Sequence, residues 1–167
     1  MNSSFFALIL LLCPVDLVFS NTPTRTTTEV PLYMRQSWFK MSDSILSACI
    51  CESGANPTKV FKSIMNTEVA SDPCLKCCYK CFATKLNFVD ASTGEFHEKE
   101  MLRQIEGLTP EIFKKCNDEV KDEIDICEKV FGMYMCHVHS VSKPKSLLKY
   151  VPSQKTSTAV SYKDLFI

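Results

Sequence analysis

The stretch "CLKCCYKC", Cys74 to Cys81, puts four cysteines into eight residues. Cys74, Cys77, Cys78 and Cys81 stand at i, i+3, i+4 and i+7, so on a helix they share one stripe roughly 100° wide. A straight helix cannot close its own i, i+4 pairs into relaxed disulfides, because the Cβ vectors run parallel rather than converging. The stripe must therefore face partners elsewhere: Cys49 and Cys51 lie before it, and Cys116, Cys127 and Cys136 after it. Two consecutive C-x2-C copies also suit zinc or a cluster, and a single C-x-x-C suits a thioredoxin-like redox pair. Metal ligands, however, usually sit on turns or strands, and no strand precedes the motif to build a redox fold. Structural disulfides, with no metal and no cofactor, are the reading we carry forward.

The N-terminus supports that reading. Residues 1–20, "MNSSFFALILLLCPVDLVFS", hold an apolar run from Phe5 to Val15 that is too short for a bilayer and fits a signal peptide. Val18 and Ser20 suit the small-residue positions before cleavage at Asn21. The expectation is a secreted, extracellular chain of 147 residues (167 − 20) without membrane insertion. That length is one domain, large enough to hold a core unaided. Removing the leader leaves 19 basic against 18 acidic residues, a balance that argues against nucleic acid, which needs a clustered positive field. Of ten cysteines nine remain, and an odd number in an oxidising compartment leaves at least one unpaired or paired outside the chain.

Residues 21–34, "NTPTRTTTEVPLYM", lack a period and read as a flexible Thr/Pro-rich arm. From Arg35 the pattern is helical, with Trp38, Phe39, Met41, Ile45, Leu46 and Cys49 near i, i+3, i+4, i+7 spacing up to a break at Gly54. Three later helices announce themselves by a cap followed by proline: Asn56–Pro57, Asp72–Pro73 and Thr109–Pro110. "FVDASTGEF" is a turn-rich break, "HEKEMLRQIEGL" a short helix, and the last helix runs from about 126 to 139. Residues 141–167 read as a tail, disordered or folded back. No stretch alternates at period two, so the fold class expected is all-α, about six short helices.

Taken together, Cys49, Cys77, Cys81, Cys116, Cys127 and Cys136 read C-x27-C-x3-C-x34-C-x10-C-x8-C. The x3 and x8 intervals in an all-helical secreted chain closely resemble the insect odorant-binding protein family, the pheromone and general odorant-binding proteins. "CICESG", "CFATKLNFVDASTGEF" and "CEKVFGMYMC" add to the resemblance, which covers about residues 40 to 138 and sets the domain at 35–140. The arm, the tail and the additional Cys51, Cys74 and Cys78 depart from the family pattern. The resemblance implies bridges Cys49–Cys81, Cys77–Cys127 and Cys116–Cys136, with an extra bridge from Cys51 to Cys74 or Cys78 as a further expectation.

It also implies six helices around an apolar cavity that carries a small hydrophobic ligand. Phe61, Ile64, Met65, Phe82, Leu86, Met101, Ile105, Phe113, Phe131 and Tyr134 are the candidate lining residues, with Tyr134 the candidate polar anchor. Methionine reshapes easily, so Met65, Met101 and Met133 suit a tolerant pocket. Most apolar side chains of such a bundle nevertheless fill its core. His137 and His139 read as solvated imidazoles at a helix C-terminus, where the dipole favours them, and a pH switch is the competing reading. No G-x-S-x-G, H-E-x-x-H or P-loop occurs, so no enzyme is expected. A second functional reading is a secreted interaction factor on the same scaffold, binding a receptor, another protein or a second copy; the odd cysteine and the tail favour it.

Overall fold

The computed structural model describes residues 28–145. Six helices follow one another: α1 (Leu32–Ser53), α2 (Pro57–Met65), α3 (Pro73–Lys85), α4 (Glu98–Gln104), α5 (Pro110–Val120) and α6 (Ile126–Val141). Two two-residue strands, β1 (Thr28–Glu29) and β2 (Lys143–Pro144), pair antiparallel and bring the two ends of the described chain together.

The helix starts follow from local chemistry. Asn56 accepts hydrogen bonds from the amides of Thr58 and Lys59, Asp72 from Leu75, and Thr109 from Ile112, each ahead of a proline at the first helical position. α6 starts without proline, its first amides held by the Asp125 carboxylate. α1 stops at Gly54, whose φ of 68° is the left-handed conformation glycine takes without a Cβ clash.

α3 and α6 are the centre of the bundle. α3 packs on α1 and α6, and α6 also packs on α5. Each contact carries one disulfide: Cys49–Cys81 joins α1 to α3, Cys77–Cys127 joins α3 to α6, and Cys116–Cys136 joins α5 to α6. The three loops interlock, because the 49–81 span contains Cys77 and the 77–127 span contains Cys81 and Cys116. The buried side chains of α1, Met34, Trp38, Ser42 and Cys49, fall on one helical stripe facing that centre. α6 is buried on most sides, from Val130 and Phe131 through Met133 and Cys136 to Val141.

Two boundaries differ from the sequence expectations. α1 starts at Leu32 rather than Arg35, and residues 28–34 are anchored rather than free. Val30 is fully buried, and Arg35 donates to the carbonyls of Val30 and Met65 and pairs with Glu29. At the other end α6 continues to Val141, and Lys143–Pro144 folds back on β1. A two-residue ribbon between distant chain ends has no local signature, which is why these residues look like linker in the sequence. The expected leader (1–20), the start of the arm and the tail from 146 onward lie outside the described residues.

Close packing of α6 on α5 rests on Gly132. A Cβ there would stand 2.8 Å from Cγ1 of Val120, a stiff β-branched side chain. Gly132→Val is expected to cost about 1–3 kcal/mol through overpacking, read by thermal denaturation. An unchanged melting temperature would mean that the two helices part freely here.

Candidate functional site

α1, α3 and α6 line a partly open cavity of about 100 Å³. Trp38, Met41 and Ser42 contribute from α1, Tyr79, Phe82 and Ala83 from α3, and Val130, Met133, Tyr134 and His137 from α6. Ile64 of α2 closes one side. Leu86, Phe88, Phe96, Met101, Ile105 and Leu108, from the segment between α3 and α5, close the other. The "FVDASTGEF" turn positions this wall. Asp90 accepts from the amides of Ser92 and Thr93, the His97 amide donates to the Phe88 carbonyl, and Val89 pairs with Phe96, which ties the two arms of the turn together.

No Asp, Glu, Lys or Arg is among the lining residues. The polar atoms that do line the cavity are almost all engaged within the protein. Trp38 Nε1 donates to the Glu106 carbonyl at 2.9 Å, and Ser42 Oγ donates back to its own helix at Phe39 at 3.0 Å. The rings of Tyr79 and Tyr134 stack with centroids 4.3 Å apart. Tyr79 donates to Ser63 Oγ at 2.9 Å, Ser63 Oγ donates to the Val60 carbonyl at 2.7 Å, and Tyr134 donates to the Ser63 carbonyl. Burial pushes the Tyr134 hydroxyl up to about 12 and that of Tyr79 well above its ordinary value, so both stay neutral.

His137 is the exception. Only 5% of its surface is exposed, its ring lies 5.1 Å from that of Trp38, and its Nε2 has no hydrogen-bond partner. Burial pushes its pKa down to about 4, against the pull of the Gly107 carbonyl towards protonation, so the ring is neutral near pH 7. The reading of His137 as a solvated imidazole is thereby corrected: α6 runs on past it, and the ring turns inward against α1 rather than outward at a helix end. His139, by contrast, is exposed in the last turn of α6.

Of the candidate lining residues, Ile64, Phe82, Leu86, Met101, Ile105 and Tyr134 meet at the cavity, and so does Met133. Four others do not. Phe61 and Met65 stand about 100° and 140° around α2 from buried Val60, so they turn outward, and Phe61 is 50% exposed with its ring edge-on to Phe39. Phe113 is buried in α5, a helix that contributes nothing to the wall. Phe131, one residue on from Val130, is turned away into packing against Tyr79. The hydroxyl of Tyr134 is held by Ser63, which removes it as a free anchor. Trp38, Met41, Ser42, Tyr79, Ala83, Phe88, Phe96, Leu108, Val130 and His137 line the cavity without having been singled out for it. Trp38 and Met41 already lay on the inward stripe of α1; for Ser42 and His137 no sequence signal exists, since polar residues at helical spacing normally face water.

The additional cysteines also depart from expectation. Cys51 and Cys74 are exposed, Cys78 is buried, and none of the three is bridged. Cys51 follows Cys49 by two residues, about 200° around α1, and so points away from α3 when Cys49 faces it. Cys74 stands exposed in the first turn of α3. Burial raises the Cys78 thiol above its usual value, with the Ser53 hydroxyl opposing, which keeps it protonated and inert.

Among the described residues no helix is long and apolar enough to cross a membrane. No curated protein matches the sequence. Three solved structures resemble it. The medfly odorant-binding protein CcapOBP22/CcapOBP69a is 21% identical over 59% of this chain and 85% of its own, with a TM-score of 0.46. Odorant-binding protein 7 from Anopheles gambiae, which has four disulfide bridges and is seen with an azo compound, is 23% identical over 67% and 89%, with a TM-score of 0.40. An odorant-binding protein of Locusta migratoria is 17% identical over 68% and 86%, with a TM-score of 0.44. Residues 35–140, more than half of the chain, match the PBP/GOBP family. The chain belongs to that family, and its six-helix, disulfide-knit bundle is the fold of a family of small-ligand carriers.

Proposed function

We propose that the protein is a secreted carrier that takes a small hydrophobic molecule, an odorant, a pheromone or a lipid-like compound, into the cavity between α1, α3 and α6. In this reading residues 1–20 are the leader and residues 35–140 the carrier domain. The observation that carries it is a concave wall of aromatic, methionine and aliphatic side chains with no charged residue in it. Such a wall gives an apolar guest an exit from water. Burying ~300 Å² of guest surface contributes roughly 7 kcal/mol, which after ordering costs leaves an affinity near micromolar. The cavity is smaller than such a guest needs, and Met41, Met101 and Met133 supply the adjustable side chains that enlarge it.

Displacement of a hydrophobic fluorescent probe by aliphatic alcohols, esters or fatty acids tests the reading. At least one class is expected to compete at micromolar concentration. Failure of all three, with a stable protein partner recovered in pull-down, overturns it in favour of an interaction factor. That second reading draws on the exposed apolar side chains Leu32, Tyr33 and Phe61.

A further inference from the structure

We propose that the cavity selects a compact aromatic guest carrying one hydroxyl group, and that the hydroxyl binds His137. The inference rests on the carrier reading and names the chemical class of its ligand. Size and shape come first. A cavity of about 100 Å³ is on the scale of apolar cavities that hold a single benzene ring. Trp38, Tyr79, Phe82, Phe88, Phe96 and Tyr134 present aromatic surface to it from several directions, which suits the edge and stacked contacts of another ring.

The polar inventory then selects the substituent. The Trp38 indole N–H and the hydroxyls of Ser42, Tyr79 and Tyr134 already donate to protein acceptors, so none has a hydrogen left to offer. Among the described residues His137 Nε2 alone is buried without a partner, and an unpaired buried polar atom is costly until a partner arrives. The imidazole is uncharged, so it has no call for an anionic guest. The Gly107 carbonyl can only accept, so it takes the Nδ1 proton and leaves Nε2 in need of a donor. A hydroxyl supplies that donor. An ester or ether oxygen can only accept, and a hydrocarbon can do neither.

The test compares p-cresol with p-xylene, two rings that differ by a hydroxyl in place of a methyl. Dissociation constants for both are measured by titration calorimetry on the wild-type protein and on His137→Leu. The preference for p-cresol over p-xylene is expected to fall about tenfold in the variant. An unchanged preference overturns the proposal while leaving the carrier reading in place. Binding of neither compound to the wild type, when an aliphatic alcohol or fatty acid does bind, also overturns it. If none of these ligands binds, the carrier reading fails first. A measurement on the wild type alone covers the case of a variant that does not fold. The ¹⁵N resonances of the His137 ring should move on addition of p-cresol and stay in place with p-xylene; equal shifts with both would sink the assignment.

Discussion

Replacing Cys77 and Cys127 together by alanine is expected to lower the stability of the fold by about 4 kcal/mol, the largest loss from any of the three bridges. The ranking follows from the spans closed, which are 50 residues for Cys77–Cys127, 32 for Cys49–Cys81 and 20 for Cys116–Cys136. Chain entropy removed from the unfolded state grows with the logarithm of the span, which places the other two between about 3 and 4 kcal/mol. Cys77–Cys127 also ties together α3 and α6, the two helices around which the cavity is built. Both cysteines must be replaced at once, because a lone Cys77 or Cys127 would be a new thiol beside the unbridged Cys74 and Cys78. Guanidinium unfolding of the three double variants reads the order. A Cys116–Cys136 variant less stable than the Cys77–Cys127 variant would contradict the entropic account. Removing two bridges should cost less than the sum of the separate losses, since the loops interlock.

Acidification from pH 7 to pH 4 is expected to remove about 3 kcal/mol through His137 alone. The sign follows from proton counts. The folded ring titrates at about 4 and the unfolded one near 6.5, so between these values the unfolded chain binds the extra proton. Stability is complete above about pH 6.5, falls as the pH drops through the window, and levels off below about 4. Carboxylates act in a lower window. Asp72, Asp90, Glu100, Glu111 and Asp118 are held below their ordinary values, chiefly by hydrogen bonds, so their contributions are lost only as the pH falls through the carboxylate range. Urea unfolding at steps between pH 7 and pH 4 measures the slope, and His137→Leu should flatten it there while leaving the fall at lower pH. The same slope in the variant would show that another group carries the effect.

Much of the architecture was legible in the chain because it depends on neighbours in sequence. Asn56, Asp72 and Thr109, each followed by proline, announce helix starts by satisfying amides two or three residues away. The stripe from Cys74 to Cys81 and the intervals to Cys127 and Cys136 pointed to helices tied across the bundle, and the family resemblance named which. The cavity was legible only in kind. Ile64, Phe82 and Met101 were found because an apolar side chain on the buried face of a helix has few places to go. Phe61, Met65, Phe113 and Phe131 were misplaced because a residue can be apolar and helical and still face a neighbour other than the cavity, or water.

Helix phase, caps, turn residues and cysteine spacing are thus local or countable quantities, and the sequence by itself determined the all-α class, the helix order and the hub role of "CLKCCYKC". Tertiary structure decided which cysteines of that stripe meet a partner. Cys77 and Cys81 do, Cys78 is sealed between helices, and Cys74 is left at the surface. It decided that residues 28–31 pack rather than wander, through Val30 and Arg35. It also decided that His137 is buried and unpaired instead of solvated. The cysteine pairing and the burial of His137 depend on how two helices rotate against each other, and that angle is set by the packing of many side chains at once, not by any one of them.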